Sequence, residues 1–126
     1  MFKIDSVSFS SDANWRLFDY EKPEAIDESL RHSFDCVVID PPFISAAVWQ
    51  QYADAANLLL GVAPSPRFII GTTIPENAKA LHDMFGVRPV TFKPEIPNLV
   101  YQYELFTNFQ HDLLDKHNPN VQYGEL

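Results

Sequence analysis

Four consecutive residues, Asp40-Pro41-Pro42-Phe43, place a carboxylate, two rings without amide hydrogens and an aromatic face side by side. Two prolines fix two φ angles and remove two backbone donors. The Asp40 carboxylate and the Pro41 carbonyl are therefore acceptors with no local N–H competing for them. Such a corner can accept hydrogen bonds from an amino group. Phe43 adds a flat face for a base ring or for a methylene chain that ends in an ammonium. The chemistry this suits is the orientation of an attacking nitrogen. The same residues also fit an ordinary strand-to-helix turn whose aspartate caps the helix that follows, and the residue types leave both open.

The elements around this corner set its place. Residues 34–40, FDCVVID, are apolar on both faces at the centre, which predicts a fully buried strand of a parallel sheet with Cys36 as a small core residue. Ser45 is placed to cap a helix in which Val48, Tyr52, Ala55 and Leu59 make one apolar stripe and Gly61 marks the end. Residues 68–72, FIIGT, predict a second buried strand. Thr73 and Glu76 then stand in capping-box register before a helix with Ala78, Leu81 and Phe85 on one face and Gly86 as its stop. Residues 15–20, 89–93 and 101–109 read as further strands, and 24–32 as one or two helical turns. Repeated switching between the two hydrophobic periods predicts an α/β fold. Asp40 would then lie at the carboxyl end of a parallel sheet, where open α/β folds bind their ligands. A domain over residues 1–109 is expected, followed by a polar tail, 110–126, that is extended or poorly ordered unless a partner holds it.

Composition narrows the function classes. The chain has 126 residues, one domain by size, with 17 acidic against 9 basic residues and a net charge of -8. The basic residues are scattered, which weighs against a nucleic-acid partner and favours a basic protein or a cationic small molecule. One cysteine provides no disulfide framework, and His32, His82, His111 and His117 show no metal-ligand spacing with it, so no metal is expected. No apolar stretch approaches the ~20 residues of a membrane span, and the N-terminal residues lack a signal or transit pattern. A soluble, reducing, cytoplasmic setting is the expectation, with an organelle matrix as the other possibility.

Asp-Pro-Pro-Phe resembles the Asp/Asn-Pro-Pro-aromatic motif of amino-group methyltransferases that use S-adenosylmethionine. WRLFDYEKP (15–23), FDCVVIDPPFIS (34–45), FIIGTTIPE (68–76) and FKPEIPNLVYQYELFTNF (92–109) are similar, in order and spacing, to a eukaryotic family first labelled adenine-specific and later recognised as elongation factor 1-alpha lysine methyltransferases. The resemblance implies a Rossmann-like methyltransferase sheet and methyl transfer to a lysine ε-amine of a basic protein. It implies that Asp40, Pro41, Pro42 and Phe43 hold the amine, that Asp19 lies near the cofactor adenine, and that Asp5 is the acid for the ribose hydroxyls. Departures occur at Tyr101, Gln102 and Tyr103, where the family has Asn-Glu-Phe, and at Thr72 and Thr73, where it has Thr-Gly.

The family also places a strand and a cofactor-cradling loop upstream of the segment that starts here at Met1, and Gly61, Gly71, Gly86 and Gly124 form no glycine-rich loop. That first strand is central in the family's sheet. The expected architecture is therefore a sheet incomplete on its N-terminal side, and an oligomer or a partner chain that completes it. Weak binding of S-adenosylmethionine by the isolated chain follows. Two function classes stand side by side: an active protein-lysine methyltransferase, and a catalytically inactive, methyltransferase-derived structural or assembly subunit. An adenine methyltransferase is a lesser alternative. In the active case Asp40 orients the amine rather than deprotonating it, because an ordinary carboxylate is too weak a base for a lysine ammonium.

Overall fold

A computed structural model of the chain describes residues 16–42, 44–98 and 102–123. The chain divides into two compact units, one formed by Met1–Asp35 with Pro41–Arg67 and the other by Cys36–Asp40 with Phe68–Leu126.

The first unit is organised by helix α1, Ala46–Leu59, whose start is fixed locally: the Ser45 hydroxyl accepts the Val48 amide at 3.3 Å. Trp49, Tyr52, Ala53, Ala55 and Ala56 are its buried residues, while Val48 and Leu59 are half-buried, so the apolar stripe is rotated by one position from the predicted one. Leu60 rather than Gly61 is the C-cap, its amide bonded to the Ala56 carbonyl. After the helix, Phe34 and Leu60 form a parallel bridge, with the Gly61 amide bonded to the Phe34 carbonyl.

One expectation fails in this unit and a second is met in part. Residues 16–20 form no strand: Phe18 and Tyr20 both pack their rings on Tyr52, and a turn closes from the Lys22 amide to the Asp19 carbonyl at 2.9 Å. The helix expected over 24–32 is two separate 3-10 turns, Pro23–Ala25 and Glu28–Leu30, because Ile26 and Asp27 between them are extended, with ψ of 132° and 131°. Asp27 restarts the chain by accepting the Ser29 amide.

The second unit holds a four-stranded sheet in the order β1-β2-β4-β3. Strand β1 is Cys36–Ile39, β2 is Phe68–Thr73, β3 is Arg88–Pro89 and β4 is Glu104–Thr107. β1 and β2 are parallel, with Ile39 opposite Gly71, and β4 pairs antiparallel with both β2 and β3. Alternation assigns Ile39, Ile69, Gly71, Thr73 and Phe106 to one face, and all five are buried. The other face carries Val38, Ile70, Thr72 and Leu105, none of which is buried, and Thr107, which is. Mixed α/β architecture is thus present, but β1 is not the doubly covered strand that its composition predicts. Its residues run exposed, half-buried, exposed, buried, Val38 is 70 % exposed, and Cys36 is exposed rather than a core residue. Hydropathy of a strand reports what it could bury, whereas coverage depends on neighbours, and among the described residues β2 is the one strand that pairs with β1.

Helix α2, Ala78–Phe85, buries Leu81 and ends at Gly86, which is left-handed with φ 72° and returns its amide to the His82 carbonyl. The predicted capping box does not form. Thr73 is still in β2, and Ile74 is extended with ψ 152° because the proline that follows disfavours a helical conformation there. A 3-10 turn, Pro75–Asn77, intervenes, and the Thr73 hydroxyl oxygen accepts the Asn77 side-chain amide at 2.9 Å. The strand predicted over 89–93 is also shorter: the Val90 amide still reaches the Leu105 carbonyl, but the Phe92 amide turns to the Leu114 carbonyl.

That last bond belongs to a C-terminal segment that is folded, contrary to the expectation from its polarity. Residues 110–123 contain a 3-10 turn, Asp112–Leu114, and return to residues 91–93 through Tyr123 and Asn118. No helix among the described residues is long and apolar enough to cross a membrane.

Candidate functional site

The parallel register of β1 and β2 determines what stands beside Asp40. Cys36 pairs with Phe68 and Ile39 with Gly71, so one further step sets Asp40 beside Thr72 at the carboxyl ends of two adjacent strands. Their side chains meet: the Thr72 hydroxyl donates to Asp40 Oδ1 at 2.8 Å. Asp40 is exposed and Thr72 half-buried. The capping alternative for Asp40 is not what forms, since the N-cap of α1 is Ser45. Its carboxylate is left available to an external donor, as an acceptor for an amine requires.

Pro41 is buried and Pro42 exposed. Neither carries an amide hydrogen, so neither can turn a backbone donor onto the carboxylate. Phe43 and Asp5 lie outside the described residues, as does Tyr101. Asp19 is half-buried in the first unit, and its Oδ1 accepts the Glu21 amide at 3.0 Å, so one oxygen is used in stabilising its own turn. Gln102 donates to the carbonyls of Pro94 and Tyr103 at 3.0 and 2.7 Å, which gives this departure from the family pattern a local structural use.

Sequence reasoning missed the part played by Thr72. A signal was present in two strand endings, VVID and IIGT, each an apolar run closing on a residue with a side-chain oxygen. Only the register shows that the two oxygens are lateral neighbours. Among the described residues no three His, Cys, Asp or Glu side chains gather as a metal site would require.

Residues 1–111 match the family described as probable N6-adenine methyltransferase. That is most of the chain, and the protein belongs to this methyltransferase family. No curated protein and no solved structure matches it. Methyltransferases of this kind use S-adenosylmethionine, which needs acceptors for its hydroxyl and adenine groups and closely approached backbone amides for its methionine end. The three described glycines each stand alone in the chain. Gly71 is within β2, Gly86 is the C-cap of α2, and a Cβ on Gly61 would lie 3.0 Å from the Ser65 Cβ.

Proposed function

We propose that the chain acts in S-adenosylmethionine-dependent methylation, as its family membership supports, and that the acceptor is a lysine ε-amine on a basic protein, with Asp40 as the residue that orients the amine. The observation that carries this is the position of Asp40: an exposed carboxylate at the carboxyl end of a parallel strand, followed by two residues without amide hydrogens. A lysine has a pKa of about 10.4, so at neutral pH only about one in a few thousand is the neutral nucleophile. Deprotonation to solvent must accompany or precede transfer. Asp40 accepts one N–H of the amine and thereby aims its lone pair, an effect of geometry rather than of basicity. A net charge of -8 draws a basic substrate towards the protein. A partner chain that pairs with β1, which among the described residues is paired by β2 alone, is part of the same proposal.

A second acceptor, the exocyclic amine of adenine, is favoured by the description of the matched family. It has the same need for an oriented nitrogen, but a polyanionic substrate meets an unfavourable net charge.

Labelled S-adenosylmethionine offered with a lysine-rich protein and, separately, with an adenine-containing polynucleotide tests both. Label on lysine that falls by orders of magnitude in Asp40→Ala supports the proposal. Label on adenine would replace it with the second acceptor, and no label on either would overturn it.

A further inference from the structure

We infer that Thr72 is a positioning residue for Asp40, holding the carboxylate in the orientation in which it receives the amine. This rests on the methyl-transfer proposal above and names a residue that the proposal does not use. Asp40 is exposed, so little packing restrains rotation about its side-chain bonds, and it follows β1, which among the described residues is paired on one side only. Thr72 is the opposite case. It lies on β2, which is paired on both sides, with β1 and with β4, where it stands opposite Leu105. Its side chain is β-branched and so stiff about χ1. A donor on a strand paired on both sides therefore anchors an exposed acceptor that follows β1, through the 2.8 Å bond to Oδ1.

The direction of that bond also divides the labour of the carboxylate. Oδ1 accepts the hydroxyl, so we assign Oδ2 to a substrate N–H. Thr72 contacts Asp40 and need not touch the substrate. Loss of such an anchor costs alignment, and a misplacement of about 1 Å at a reacting group is worth up to ~10²-fold in rate.

Three variants of the full chain test this. Thr72→Val keeps shape and branching but removes the donor, Thr72→Ser keeps the donor, and Asp40→Ala removes the acceptor. With labelled S-adenosylmethionine and a lysine-rich protein, Thr72→Val is expected to lower kcat about tenfold or more with little change in KM, and Thr72→Ser to recover most of it. Three-bond couplings that report χ1 of Asp40 give a readout independent of activity: one rotamer in the native chain and in Thr72→Ser, averaged rotamers in Thr72→Val. If Asp40→Ala is as active as the native chain, the methyl-transfer proposal falls. If Asp40→Ala is inactive while Thr72→Val is fully active, the positioning role alone falls. An Asp40 side chain that keeps a single rotamer in Thr72→Val overturns the inference whatever the activity.

Discussion

The Tyr123 hydroxyl donates to the Thr91 carbonyl at 2.8 Å, and the same oxygen accepts the amides of Lys93 at 3.0 Å and Asn118 at 2.9 Å. One donor and two acceptor positions are all that a phenol has, so this group is fully used. His117 stacks on the ring at 3.9 Å, and the Lys93 ammonium lies 5.2 Å from its centre. Tyr123→Phe keeps the stack and removes all three bonds. A loss of about 1–3 kcal/mol is typical when buried partners are left without a bond. Because Tyr123 is only half-buried, the lower end is expected. Hydrogen exchange at Lys93 and Asn118 should quicken more than exchange in β2. Equal exchange in the variant and the native chain would show that the C-terminal segment is held by something else.

Gly86 is the second place where one atom decides. Its φ of 72° is left-handed, and a Cβ there would meet nothing within 4 Å, so any effect of Gly86→Ala comes from the backbone alone. The cost is about 1–2 kcal/mol. Gly86→Asn should cost less, since asparagine tolerates this conformation at helix ends. Thermal unfolding of the two variants checks it, and Gly86→Ala at least as stable as Gly86→Asn would contradict the account.

Features set by a few adjacent residues were legible in the sequence. Ser45 caps α1 and Gly86 ends α2 because capping is a local hydrogen-bond problem. Misreadings came where an intervening proline or a distant residue decides. Thr73 and Glu76 have the spacing of a capping box, but Pro75 keeps Ile74 extended and the box cannot close. Residues 90–93 have strand composition, yet the Phe92 amide is claimed by Leu114 and the strand stops at Pro89. Residues 110–123 are polar enough to suggest disorder, yet Leu114, Asn118 and a phenol 32 residues along the chain from Thr91 tie them to residues 91–93. At the candidate site, Asp40 was legible from its prolines, whereas Thr72 required the strand register.

Cys36 offers a direct check on how β1 is covered. Its apolar neighbours predict burial, but the thiol is exposed, with Sγ 3.8 Å from the Val37 carbonyl oxygen. A thiol reagent should therefore label the native chain completely without denaturant, at a rate comparable with that of the unfolded chain. Labelling that requires unfolding would mean that the face carrying Cys36 and Val38 is covered in solution.

Asp27 links local structure to pH. Its carboxyl is held below the usual aspartate range, first by the hydrogen bond from the Ser29 amide and then by the Ser29 side chain, with a smaller contribution from the charge of Arg16 and with desolvation opposing. A folded-state value below the unfolded one stabilises the folded chain at pH above the ordinary aspartate range, and that stabilisation is lost as pH falls through the folded value. The bond involved, Ser29 amide to Asp27 Oδ1 at 2.9 Å, begins the Glu28–Leu30 turn. Ser29→Ala should therefore leave most of the depression in place, because the backbone donor remains. Asp27→Asn should keep the turn, since an amide oxygen also caps, while removing its acid sensitivity. Side-chain carboxyl titration by NMR decides between backbone and hydroxyl as the main cause: an Asp27 that returns to the ordinary range in Ser29→Ala would assign the effect to the hydroxyl and remove the backbone bond from the account.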